Sequence, residues 1–248
     1  MCRMVAIASV EAAPVTYELI ESPHSLLRQA ECGSCGPHAD GCGVAYVQNK
    51  KIPLHRRGPA QNWDDTFKEI IRSIKGQLVI CHNRKASGGQ QTDESRSHPF
   101  LRTFKGSDVA LCHNGTLNSV LDEAKERGVV DTEIFFEEIL ANQKELTLST
   151  IARRVGELAR ETKYTSLTAF LLAPNALFAW RLFGDERVRD YYTLSKREVA
   201  GRMVIASEPI DKEVGWTLIP NGTIVSATVE GGKLRMQEEK IDCPNLPA

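Results

Sequence analysis

Met1-Cys2-Arg3-Met4-Val5-Ala6-Ile7-Ala8-Ser9-Val10 opens the chain, and the fold turns on how this stretch is read. Residues 5–10 are aliphatic or small and carry no charge, the composition of a strand held inside a core. The same stretch, with a single positive charge ahead of it, also has the outline of a secretory signal. Glu11 cuts it after about seven apolar or small residues, at the lower limit for such a segment. A buried first strand is therefore expected. Cys2 stands directly before it. Loss of Met1 would place a thiol and a free α-amine on one residue, a nucleophile with its own base. An α-amine titrates at about 7.7–8.0, so part of it is neutral at cytoplasmic pH and can take the thiol proton.

The chain has 248 residues, within the range of one large domain, and residues 1–248 are read as a single one. Its 31 basic and 32 acidic residues leave a formal charge of -1 and form no long block of one sign. Such a balance offers nothing to nucleic acid or to an anionic membrane, and no window approaches the roughly 18 apolar residues that span a bilayer. A small molecule or another protein is the expected partner. The seven cysteines are odd in number and lack the spacing of a secreted disulfide framework. A reducing, cytoplasmic setting is expected.

Strands are expected at 5–10, 43–48, 78–82, 108–113, 166–172, 177–182 and 203–207. A hairpin is expected from 216–219 to 223–229 around Asn221-Gly222. Helical period is clearest at 64–75, where Phe67, Ile70, Ile71 and Ile74 share a face, and recurs at 116–127, 132–142 and 150–163. Strands gather early and late with most helices between them. That order suggests two mainly antiparallel sheets covered by helices, an α+β fold, rather than an alternating parallel sheet. Polar, Gly-rich loops at 33–41 and 86–99 are the expected carriers of chemistry.

Several short motifs follow Cys2 in order: Asp40-Gly41-Cys42-Gly43, His82-Asn83-Arg84-Lys85-Ala86-Ser87-Gly88-Gly89, His98-Pro99-Phe100, His113-Asn114-Gly115, Asp131-Thr132-Glu133 and Ile205-Ala206-Ser207-Glu208-Pro209. Together with the Met1-Cys2-Arg3 start they resemble the class II glutamine amidotransferases, N-terminal nucleophile hydrolases whose mature chain begins with cysteine, and in particular the stand-alone branch. The resemblance runs from residue 2 to about 209. It implies a four-layer αββα sandwich and hydrolysis of glutamine or another γ-glutamyl amide through a thioester on Cys2. It assigns the oxyanion donors to the Asn114 amide and the Gly115 N–H, which meet the charge developing on the carbonyl oxygen. Arg84 offers a planar fork for the α-carboxylate and Asp131 an acceptor for the α-ammonium. Gly89 and His98 complete the expected substrate contacts. The chain departs from the family pattern at Lys85, where many relatives carry an aromatic residue, and at Ser87 in place of threonine.

With the α-amine as base no catalytic histidine is required, so His82, His98 and His113 are read as packed or loop-bracing. No cofactor is expected. The liberated ammonia or amine goes either to a separate ammonia-accepting synthase subunit or, in an independent amidohydrolase, to solvent. Independence is slightly favoured. A reading from another class rests on Cys32, Cys35, His38 and Cys42, whose types and spacing suit zinc: a catalytically silent amidotransferase-like binding module with a structural metal. The same cysteines also admit a loop of reduced thiols or a redox disulfide between Cys32 and Cys35.

Overall fold

Residues 5–10 lie inside a longer strand, β1 (Arg3–Pro14), whose side chains are buried from Arg3 through Ser9. The computed structural model describes residues 2–32, 36–86, 91–243 and 246. Burial alternates between two apolar layers. Met4, Ala6 and Ala8 face one layer, and Val5 and Ile7 face the other. A strand covered on both sides favours apolar residues on both faces, which is why residues 4–8 show no polar alternation.

The remaining strands are β2 (Cys42–Tyr46), β3 (Leu54–Arg57), β4 (Lys75–Asn83), β5 (Phe100–Phe104), β6 (Ser107–Asn114), β7 (Thr168–Ala173), β8 (Ala176–Arg181), β9 (Ser195–Val199), β10 (Arg202–Ala206), β11 (Thr217–Leu218), β12 (Thr223–Glu230) and β13 (Lys233–Lys240). They form a seven-stranded sheet in the order β11-β9-β10-β1-β4-β2-β3 and a six-stranded sheet in the order β13-β12-β8-β7-β6-β5. The pairings within both are antiparallel. Helices α1 (Leu26–Cys32) and α2 (Asp65–Ser73) cover the first sheet, and α4 (Asp131–Leu140) and α5 (Leu148–Glu161) cover the second; α3 (Leu121–Arg127) precedes α4. Phe67 and Ile71 of α2 pack with Val5, Ile7 and Val79, while Phe135, Phe136 and Val155 pack with Leu111, Leu171 and Trp180. Between the sheets a third layer joins Ala6, Ile80 and Ile205 to Cys112, Phe170 and Val225. The expected αββα sandwich is thus the observed one.

Strands β3, β5, β9 and β13 lie outside the expected set, and one expected connection differs. The hairpin around Asn221-Gly222 does not form, because β11 pairs with β9 in the first sheet while β12 pairs with β8 and β13 in the second. The chain crosses between sheets there, and the Asn221 side chain brackets Phe183, accepting from its N–H at 3.0 Å and donating to its carbonyl at 3.2 Å. The hairpin that does form joins β12 to β13 through Gly231-Gly232. Their φ angles of +56° and +71° belong to the left-handed region such a tight turn needs. β13 escapes an apolar reading because Lys233-Leu234-Arg235-Met236-Gln237-Glu238-Glu239-Lys240 is an edge strand, and charge along an edge resists pairing with other chains. β9, Ser195-Lys196-Arg197-Glu198-Val199, is also hidden from pattern reading by its charged residues, although it lies between β11 and β10.

Phe170 is fully buried between the sheets. Phe170→Ala should therefore lower the unfolding free energy by about 3–5 kcal/mol in a denaturant titration. A loss under about 1 kcal/mol would show that the layer between the sheets is not close-packed.

Candidate active site

Cys2 is buried immediately ahead of β1, and its N–H donates to Asn114 Oδ1 at 2.9 Å. Asn114 ends β6, so the bond spans the two sheets. An N–H can meet only the oxygen end of the amide, which fixes which way the amide faces. Asn114 Nδ2 is left buried and, among the described residues, without a hydrogen-bond partner. The Cys2 thiol lies 3.9 Å from the Lys85 carbonyl oxygen, and Arg3 Nη1 donates to the Cys2 carbonyl at 3.1 Å. Burial pushes the Cys2 thiol above its ordinary range, opposed by surrounding positive charge that includes Arg84 and Arg3.

Cys2, Arg84, His98, Gly115 and Asp131 line one small pocket, with a cavity volume of about 30 Å³. Arg84 follows the end of β4, with its backbone tied to the segment before β2: its N–H donates to Gly41 O at 2.7 Å and its carbonyl accepts from Asp40 N–H at 3.0 Å. The Asp40 carboxylate then accepts from Ala86 N–H at 2.8 Å. The loop leaving β4 is thereby pinned on both sides of Lys85. Asp131 is the first residue of α4, and one of its carboxylate oxygens accepts from Leu117 N–H at 2.8 Å. Gly115 has a packing reason to be glycine. A Cβ there would stand 1.9 Å from Ser166 O and 2.7 Å from His113 Nε2. Sequence-predicted Gly89 lies outside the described residues.

The histidines around this pocket are held neutral. Burial pulls His82 down to about 3 and His98 well below the ordinary imidazole range; it also lowers His113, against the nearby charge of Asp131. His113 is fixed at both ring nitrogens, to Thr132 Oγ1 at 3.1 Å and Ser166 O at 2.9 Å. The His82 ring packs 4.2 Å from that of His98, and its Nε2 lies 3.3 Å from His113 O, a second link between the sheets. His98 itself lines the pocket, with both ring nitrogens unpartnered among the described residues.

The proposed zinc set does not come together in the part that is described. Cys42 points into the apolar layer under α2, fully buried, and burial raises its thiol to about 12. Cys32 is exposed, His38 is buried against Gln29 O at 3.2 Å, and Cys35 lies outside the described residues. No group of three or more metal-ligating side chains occurs among the described residues. No helix there is long and apolar enough to cross a membrane.

Sequence reading missed three groups that shape this site. Asp40 and Glu208 each stand within a quoted motif, yet no contact was assigned to them. Glu208 Oε1 lies 2.5 Å from Arg3 Nε. Ser166, whose carbonyl presses on Gly115, had no sequence signal, because its backbone acts and not its side chain.

Residues 1–185 match the family model of the class-II glutamine amidotransferases, and the chain belongs to that family. It is 26% identical over 238 residues to a γ-glutamyl-hercynylcysteine sulfoxide hydrolase of Mycobacterium tuberculosis, a match covering 93% of this chain and 94% of that protein. The fold is similar to glutamine phosphoribosylpyrophosphate amidotransferase of B. subtilis, with a TM-score of 0.67 at 20% identity. That match covers 97% of this chain and 49% of the other, so this chain spans about half that structure's length. A class-II glutamine aminotransferase domain protein of Silicibacter pomeroyi is similar along nearly all of both chains, 97% and 99%, with a TM-score of 0.61 at 17% identity.

Two outcomes are expected. Gly115→Ala forces Ser166 or the Asn114–Gly115 peptide to move, so γ-glutamyl hydrolysis should fall at least about 100-fold, the scale of losing one oxyanion donor. Full activity in this variant would show that the close approach is dispensable. His82 binds a proton in the unfolded chain below about pH 6.5, but in the fold only near 3. The unfolded state therefore gains protons first, and stability is lost as the pH falls from 6.5. Denaturant titrations should show about 2 kcal/mol less stability at pH 5 than at pH 6.5 from His82 alone, with His98 acting in the same direction. A flat profile across that window would contradict the neutral, buried state of these rings.

Proposed function

We propose that the chain is an independent amidohydrolase that cleaves a γ-glutamyl amide by way of a thioester on Cys2. The bond from Cys2 N–H to Asn114 Oδ1 carries this reading, because it sets the nucleophile against an amide whose own N–H groups are left over. Once Met1 is removed, the Cys2 nitrogen is an α-amine that takes the thiol proton as sulfur attacks the amide carbon. The carbonyl electron pair moves to oxygen, where Asn114 Nδ2 and Gly115 N–H stabilise it. Collapse breaks the C–N bond, and the α-ammonium returns its proton to the leaving ammonia or amine. Water then attacks the thioester, gives its proton to the α-amine and releases glutamate with the thiol restored.

Arg84 and Asp131 line the pocket with opposite charges, the pair that a free α-carboxylate and α-ammonium require. Independence is supported by the M. tuberculosis relative, which is named a hydrolase and matches this chain nearly end to end. An ammonia-accepting synthase subunit is then unnecessary. Buried free thiols at Cys42, Cys81 and Cys112 suit a reducing cytoplasm.

Purified protein should release ammonia or amine from a γ-glutamyl substrate without any added protein. An electrophilic glutamine analogue should label Cys2, and Cys2→Ala should be inactive yet folded. Arg84→Lys should chiefly raise KM, whereas Asn114→Ala should lower kcat about 10²–10³-fold. Activity surviving in Cys2→Ala, or turnover that appears only with a co-purified partner, would overturn the reading.

A further inference from the structure

Resting on the Cys2 α-amine as base, we propose that Arg3 and Glu208 form an electrostatic pair that sets the basicity of that amine, with Arg3 keeping it unprotonated and Glu208 limiting the effect. Both act as positioning and tuning residues behind the pocket, since neither lines it.

Arg3 is almost fully buried, and it is bonded at once to Cys2 and to Glu208, through Nη1 to the Cys2 carbonyl at 3.1 Å and through Nε to Glu208 Oε1 at 2.5 Å. Strand geometry holds the three together. Val5 is paired with Ala206 in the β1–β10 ladder; beyond it Ser207 N–H donates to Met4 O at 2.9 Å, and Met4 N–H donates to Ser207 Oγ at 3.0 Å. Glu208, the next residue, is thereby delivered to Arg3. A guanidinium on the carbonyl of Cys2 stands one residue's width from the α-nitrogen. A second positive charge on that nitrogen is disfavoured, so the amine stays in the free-base form that can accept the thiol proton.

The other charged groups near Cys2 cannot hold this role through turnover. Arg84 and Lys85 from the loop after β4, and Asp131 from α4, line the pocket itself. In the proposed complex Arg84 and Asp131 are met by the substrate's own α-carboxylate and α-ammonium. The remaining titratable neighbours are neutral near pH 7. Burial lowers His38, before β2, to about 4, and lowers His98 and His113; it raises the Cys112 thiol of β6 and the Tyr192 hydroxyl ahead of β9. Arg3 and Glu208 alone among these charged groups stay apart from the substrate, so their field acts on free enzyme and complex alike.

The test is the pH profile of the full-length, Met1-processed protein, read in two ways: kcat/KM for a chromogenic γ-glutamyl anilide, and the rate of Cys2 alkylation by iodoacetamide followed by mass spectrometry. Activity rises as the ammonium loses its proton, so the acid limb reports the α-amine. Arg3→Gln removes the cation, raises the amine's pKa and should move the limb to higher pH. Glu208→Gln leaves Arg3 less neutralised and should move it to lower pH. The Arg3→Gln shift should be about half a pH unit, the effect of one unit charge at roughly 5 Å in water-like surroundings, and the Glu208→Gln shift smaller and opposite because that carboxylate stands behind the guanidinium. Arg3→Lys keeps the charge and should leave the limb in place while lowering kcat through the loosened Cys2 carbonyl. KM should change little in all three. Limbs that coincide with the parent, or that move the same way in Arg3→Gln and Glu208→Gln, would overturn the proposal and leave only a structural ion pair. Should the anilide not be cleaved by the parent protein, the function reading fails for that substrate, while opposite shifts in the alkylation profile still support the pair and their absence still rejects it.

Discussion

A single hydrogen bond, from the nitrogen of Cys2 to the side-chain oxygen of Asn114, joins the two sheets at the point where the chemistry is proposed. It requires the start of β1 in one sheet and the end of β6 in the other to meet within bonding distance, and that in turn requires the apolar layer between the sheets to set their spacing. Cores are packed densely enough that such spacing is not adjustable without cost. Small residues at this interface, among them Ala6, Ala8, Ala110 and Ala179, let the sheets approach. The His82 contact to the His113 carbonyl lies along the same seam.

Polarity inside this seam is managed by neutralising some groups and pairing others. Imidazoles that would cost much to charge in a buried setting are held neutral, while the guanidinium of Arg3 is paired with Glu208. The result is a buried corner whose polar groups are either neutral or paired, the kind of low-dielectric setting in which electrostatic stabilisation is strongest. A general base carried by the nucleophile itself fits that corner, because it needs no histidine able to change charge.

The loops that complete the pocket are fastened rather than loose in their described parts. Asp40 holds Ala86, Gly41 holds Arg84, and Asp131 holds Leu117. Asp131 thus both shapes the backbone entering α3 and presents charge to the pocket. The Asp40-Gly41 pair before β2, within the polar loop at 33–41, braces the backbone of Arg84 in the fold.

Local structure and family were legible in the chain itself. The unpatterned apolar run behind Cys2 marked a buried strand, the ordered motifs named Arg84, Gly115 and Asp131, which the fold brings to one pocket, and the α2 stripe of Phe67 and Ile71 marked a covering helix, because periodicity and side-chain type are properties of neighbours in sequence. What only the tertiary structure decided is what depends on distant backbone. The crossing at Asn221-Gly222, which looked like a hairpin, is set by which sheet each flanking strand can join. The charged strands β9 and β13 exist because β10 and β12 offer them pairing edges. Gly115 is dictated by a carbonyl fifty-one residues away, at Ser166. Arg3 meets Glu208 across more than two hundred residues because β1 and β10 are adjacent strands. A backbone carbonyl carries no sequence signature, and a salt bridge between remote residues has none either, until packing brings its two ends together.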